Sequence, residues 1–114
     1  MDDLLRRELD ELTSRICKAL NDPKRLLLLL VLGEQPRTVS QLCQLLDLPQ
    51  SNVSQHLGIL RERGLVEANR HGLFVEYRLR YPQLLGAIDT LRDIMARELD
   101  RQAGLQTRAA TSEA

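Results

Sequence analysis

Side chains able to do chemistry are few in this 114-residue chain, and they are unevenly placed. There are two histidines, His56 and His71, and two cysteines, Cys17 and Cys43, with no spacing that makes a metal or nucleophile motif. No Ser/His/Asp set, no catalytic carboxylate pair and no glycine-rich phosphate loop is present, so no enzyme and no cofactor is expected. One stretch is different. Residues 49–60 read "PQSNVSQHLGIL" and gather Gln50, Ser51, Asn52, Ser54, Gln55 and His56. A solvated helix face usually carries Glu, Lys and Arg, as Arg61, Glu62 and Arg63 do just beyond. Short donors and acceptors suit a different neighbour. They let a helix backbone approach base edges, where Ser pairs with several bases and Asn or Gln bridges adenine.

The elements that must present this stretch follow from the apolar pattern. Leu5, Leu9, Leu12, Ile16 and Leu20 predict an amphipathic helix over residues 3–20. "NDP" at 21–23 interrupts it. Asp22 can cap a second helix, and Pro23 fits its first position, where its missing N–H would be unpaired anyway. That helix carries "LLLLLVL" at 26–32, is expected to end at Gly33, and is apolar nearly all round, which marks it as central and buried. "EQPR" reads as a loop. Thr38 then opens a short third helix, with Gln41 placed to complete a capping box. "DLP" is a tight turn, and a fourth helix runs from Pro49 to about Arg63 with Val53, Leu57 and Leu60 inward. Gly64 is its left-handed stop.

After Gly64 the period changes. Residues 65–69 and 73–79 read as two strands joined by the turn "RHG". Leu73, Val75, Tyr77 and Leu79 share one face of the second strand. A last helix over 82–102 carries Leu84, Leu85, Ile88, Leu91, Ile94, Met95 and Leu99 on one stripe, and residues 104–114 read as a disordered tail. The expected fold is mostly α with a small β-hairpin, in the order helix-helix-helix-helix-strand-strand-helix. A short helix, a tight turn and a polar helix make a helix-turn-helix, and the hairpin makes it winged, within one domain over 1–103. In that arrangement the fourth helix enters the major groove, while Asn69, Arg70, His71 and Arg61 reach phosphate or minor groove.

Bulk composition constrains the rest. Aromatic residues are 3 % of the chain and Trp is absent, so the core must be built from Leu, Val, Ile and Ala. Formal net charge is zero, which excludes a strongly basic coat but not a local basic face. Residues 51–80 hold Arg61, Arg63, Arg70, Arg78 and Arg80 against Glu62, Glu67 and Glu76, whereas the N-terminal segment is acidic. The apolar run at 26–32 is too short to span a bilayer, and the acidic N-terminus is not a signal peptide. A cytoplasmic protein without membrane contact is expected. There both cysteines would remain thiols.

Three segments, "CKALNDPKRLLLLLVL", "TVSQLCQLLDLPQSNVSQHLGILRERGLV" and "RHGLFVEYRL", resemble the ArsR/SmtB family of bacterial winged-helix repressors over roughly residues 10–100. The resemblance implies a homodimer built from the first and last helices, an inverted-repeat operator in double-stranded DNA, and release by a protein or small-molecule inducer. It also implies where metal ligands would lie. One family site uses cysteines at positions occupied here by Thr38 and Ser40, and another falls on Tyr81, Gln83, Ile94 and Arg97. None of these is a usual ligand, so no metal is expected. Cys17 and Cys43 lie among Leu and Ile and read most simply as buried core thiols. The alternative for the pair is a reversible thiol switch. The alternative for the whole chain is a winged-helix interaction subunit that acts on DNA with a partner protein.

Overall fold

The computed structural model describes residues 2–113, with side chains through Leu105. The chain divides into two compact units, residues 1–82 and 83–114. In the first, α1 (Asp3–Glu11) leads into a π-helical segment, Leu12–Cys17, and a last turn α2 (Lys18–Leu20). These three pieces form one N-terminal arm where an uninterrupted α-helix is expected. Hydroxyls explain the wide turn. Thr13 Oγ1 donates to the Leu9 carbonyl at 2.6 Å and Ser14 Oγ to the Glu11 carbonyl at 3.4 Å, competing for acceptors that an α-helix would use.

The caps form as their residues predict. Asp22 accepts from the backbone N–H of Lys24 at 2.7 Å and of Arg25 at 3.3 Å, with Pro23 beginning α3 (Pro23–Glu34). Gly33 lies inside that helix rather than ending it. Thr38 and Gln41 close a reciprocal capping box at the start of α4 (Val39–Leu46). Asp47 then takes the left-handed conformation, φ 54°, and Pro49 precedes α5 (Gln50–Glu62). Gly64, φ 80°, ends α5 in a Schellman turn. Its N–H donates to the Arg61 carbonyl at 3.0 Å and that of Leu65 to the Leu60 carbonyl at 2.9 Å.

The sheet differs from the expected hairpin in two ways. Strands β2 (Val66–His71) and β3 (Phe74–Leu79) are joined by a two-residue loop, Gly72–Leu73, with Gly72 at φ 63°. Arg70 and His71 therefore belong to the ladder, opposite Val75 and Phe74, and Leu73 takes the turn. A two-residue loop with glycine first matches the twist of paired strands better than the "RHG" turn. In addition, Arg37–Thr38 forms a short strand, β1, antiparallel to β3 at Tyr77 and Glu76, giving the order β1-β3-β2.

The core of this unit is Ala19, Leu28, Leu29, Val31, Leu32, Leu42, Val53, Leu57, Leu60, Leu65 and Val66, without an aromatic ring. The apolar run of α3 is less uniform than expected, since Leu27 is exposed.

The second unit contains α6 (Leu84–Glu113). The helix continues past residue 102, and the segment expected to be disordered is helical through Glu113, with Ala114 outside the described residues. Gln, Arg, Ala and Glu in this stretch favour a helix, and one Gly104 costs only about 1 kcal/mol. Leu91, Ile94, Met95 and Leu99 are exposed along it. No helix among the described residues is long and apolar enough to cross a membrane.

Asp22 offers a test of the local account. Its partial burial raises its carboxyl pKa, but the two backbone donors and the nearby His56 and Arg25 outweigh this and hold it below its ordinary 3.8. A depressed carboxyl stabilises the fold above the unfolded value and loses that contribution as pH falls through the folded one. Asp22→Ala is expected to cost about 1 kcal/mol at neutral pH. The gap from the parent chain should close as pH drops below 3.8, measured by urea unfolding at several pH values.

Candidate nucleic-acid interface

The face that α5 presents is decided by what it buries. Val53, Leu57 and Leu60 are fully buried, so the opposite side must face out. At 100° per residue that side carries Ser51 and Gln55, with Ser54 next to them. All three are exposed, as is Gln50. Asn52 and His56 are half-buried on the flank rather than on the outer face. Asn52 Oδ1 is buried without a hydrogen-bond partner. The six residues expected to act together are therefore four exposed groups, Gln50 among them at the helix start rather than on the outer face, and two half-buried flank groups.

The start of α5 is open. Pro49 offers no side-chain acceptor, and its carbonyl receives the N–H groups of Asn52 and Val53, both at 3.1 Å. First-turn N–H groups left without a capping side chain favour an approaching anion.

Arginine pairing separates the basic residues of this region. Arg78 and Arg80 both engage Glu67, Arg78 through Nη2 at 3.1 Å and Arg80 through Nε at 3.8 Å. Arg61 and Arg70 are exposed and have no carboxylate partner among the described residues. Arg61 and Asn69 line a common hollow of 420 Å³ between the end of α5 and β2. His71 is less free than expected, since its Nε2 lies 3.6 Å from Glu76 Oε1. The hairpin tip is apolar where Leu73 and Phe74 project, both exposed.

Two residues went unnoticed as functional candidates in the sequence. Arg25 Nη1 meets His56 Nδ1 at 3.3 Å, and Arg63 Nη1 donates to the Ser14 carbonyl at 3.1 Å. Arg25 also bonds the end of α2, so both arginines connect α5 to the N-terminal arm. "DPKR" contains the only hint for Arg25, a basic residue one turn inside a capped helix, and it points equally to solvent.

The cysteines divide. Cys43 is half-buried on α4, but Cys17 is exposed in the π segment, so the expectation of two buried thiols is corrected for Cys17. Among the described residues no three His, Cys, Asp or Glu side chains gather as a metal site.

Comparison with known proteins agrees with this geometry. The model of the arsR family of bacterial regulatory proteins matches residues 22–68, which span α3, α4, α5 and the start of the hairpin. The HTH-type transcriptional regulator Rv0081 of Mycobacterium tuberculosis is 36 % identical over 98 residues, covering 84 % of this chain and 86 % of that one. Its crystal structure superposes with a TM-score of 0.72 at 30 % identity, over 90 % of this chain and 99 % of that chain. The repressor SmtB of the same organism is 41 % identical over 73 residues, 64 % of this chain and 54 % of that protein. A homodimeric winged helix-turn-helix DNA-binding domain from Mycobacterium bovis, Mb0332, superposes with a TM-score of 0.72 at 27 % identity, over 86 % and 93 % of the two chains. A capped α3, a helix-turn-helix with a polar outer face and a paired wing thus occur together on a chain that belongs to the arsR family of bacterial regulatory proteins.

Proposed function

We propose that the chain is a dimeric repressor that binds an inverted-repeat operator through α5 and the hairpin and is released by an inducer. One observation carries the reading. α5 turns Ser51, Ser54 and Gln55 outward directly after a tight helix-helix turn, and the hairpin that follows carries Arg70, which has no carboxylate partner among the described residues. Ser54, Gln55, Ser51 and Gln50 would meet base edges. Asn52 and His56 would border the groove. Arg61, Asn69, Arg70 and His71 would hold the backbone, and the free cations among them suit phosphate best.

Dimerisation through the first and last helices is supported by their exposed apolar side chains, Leu5, Leu9 and Leu12 on the arm and Leu91, Ile94 and Leu99 on α6. Contiguous exposed apolar stripes mark interfaces. A two-fold pair of such chains requires a two-fold operator, and such a repressor would work in the cytoplasm. The thiols supply one route of release. In that scheme Cys17 and Cys43 give two protons and two electrons to an oxidant and form a bridge, which needs Cα atoms within about 7 Å. The exposure of Cys17 supplies the access that the first attack requires.

Ser54→Ala with Gln55→Ala is expected to weaken operator binding at least about tenfold while sparing random DNA. Unchanged affinity in a shift assay would remove α5 as the reading helix. Arg70→Ala should weaken binding across all sequences and reduce the slope of log affinity against log salt by about one. For the thiols, Cys17 should react with an aromatic disulfide faster than Cys43. A Cys17→Ser protein that still leaves DNA on oxidation would end the switch proposal.

A further inference from the structure

We propose that Arg25 is a positioning residue that presents His56 as a phosphate-anchoring donor and ties the seat of α5 to the N-terminal arm. This rests on the assignment of α5 as the reading helix. The guanidinium forks between two elements. Nε donates to the Ala19 carbonyl at 2.6 Å and Nη2 to the Lys18 carbonyl at 3.3 Å, both at the end of α2, while Nη1 meets His56 Nδ1 on α5 at 3.3 Å. The carbonyls of a last helical turn lack partners within their own helix, so the bond to Ala19 fills a need of α2, while the Lys18 carbonyl also accepts from the Asn21 N–H at 3.3 Å. The backbone N–H of Arg25 is itself held by Asp22, which fixes where the side chain starts.

The third bond sets the chemistry of the imidazole. A guanidinium has five donors and no acceptor, and it stays charged. Nδ1 of His56 is therefore the acceptor, and the ring proton sits on Nε2. Nε2 lies on the other side of the ring and has no partner among the described residues. His56 thus offers one N–H outward and no acceptor.

The position of His56 on α5 indicates what that N–H meets. The outward face belongs to Ser51 and Gln55, and His56 is half-buried beside the core face. A donor on the flank of a groove-seated helix meets the groove wall, which is phosphate, rather than the base edges below. The bond from Arg63 to Ser14 holds the other end of α5 to the π segment of the same arm. Two arginines therefore make the arm a fixed reference for α5. A displaced arm would change the helix's seat even with its base-reading side chains intact.

The test uses the full chain, with and without an operator fragment. Nitrogen-15 NMR of the DNA-free protein is expected to show His56 protonated at Nε2 and unprotonated at Nδ1. His56→Ala should weaken operator binding about tenfold, equally for all operator variants. It should change the slope of log affinity against log salt by less than the change of about one expected for loss of a fixed cation such as Arg70. Arg25→Lys, which keeps the charge but not the fork, should weaken binding by a similar factor. The double variant should lose less than about twofold more than either alone.

A wild-type ring protonated at Nδ1 would overturn the proposal, and this readout stands even if Arg25→Lys impairs folding. So would losses that multiply in the double variant, binding by either single variant at the parent level, or a His56→Ala loss confined to one base pair. Failure of the reading-helix assignment shows separately, as an inert Ser54→Ala, Gln55→Ala protein.

Discussion

Burial of Val53, Leu57 and Leu60 sets the rotation of α5 about its own axis, and the remaining geometry of the site depends on it. Each of these side chains gains about 1.5–3 kcal/mol by leaving water. Turning the helix by one residue would expose all three and bury Ser54 in one direction, or Asn52 and His56 in the other, against the apolar core. The polar face is held outward by the cost of any other orientation, not by contacts of its own. Both ends of the helix reinforce that setting. Asp47 and Pro49 close the turn from α4, and the Gly64 Schellman turn sends the chain into the sheet, where the Arg80 N–H donates to the Leu65 carbonyl at 3.0 Å.

A formal charge of zero conceals the arrangement that matters for DNA. Glu67 occupies Arg78 and Arg80, so two of the cations in the region are engaged on the hairpin's own surface. Arg61 and Arg70 remain available, one at the last turn of α5 and one near the wing tip. Few free cations mean few released counterions. Such an interface depends more on base contacts and helix placement than on bulk attraction. The proposed role of Arg25, and the bond from Arg63 to the arm, concern placement, since neither arginine needs to touch DNA.

The N-terminal arm has two duties in this picture. Its apolar side chains Leu5, Leu9 and Leu12 are left to solvent, which suits the proposed pairing with a second copy. Its carbonyls at Ser14, Lys18 and Ala19 receive the arginines that hold α5. An event at the proposed pairing surface would therefore lie one hydrogen-bonded step from α5.

Local chemistry was legible in the residues alone. Asp22 with Pro23, Thr38 with Gln41, and Gly64 each act on backbone groups within a few positions, so their types and spacing suffice to place α3, α4 and the end of α5. The inward residues of α5 follow from period, and the polar cluster from what period leaves over. Only the tertiary structure decided the rest. β1 exists because Arg37 and Thr38 find Tyr77 and Glu76 some forty residues later. The hairpin loop moved to Gly72–Leu73 because pairing along the whole ladder chose the register. Cys17, the last residue of the π segment, is exposed, and the pairing of Arg25 with His56 joins positions 31 residues apart. Hydrogen bonds between distant residues leave no periodic trace in a sequence, because periodicity records which side of an element is dry and not which polar groups will meet across it.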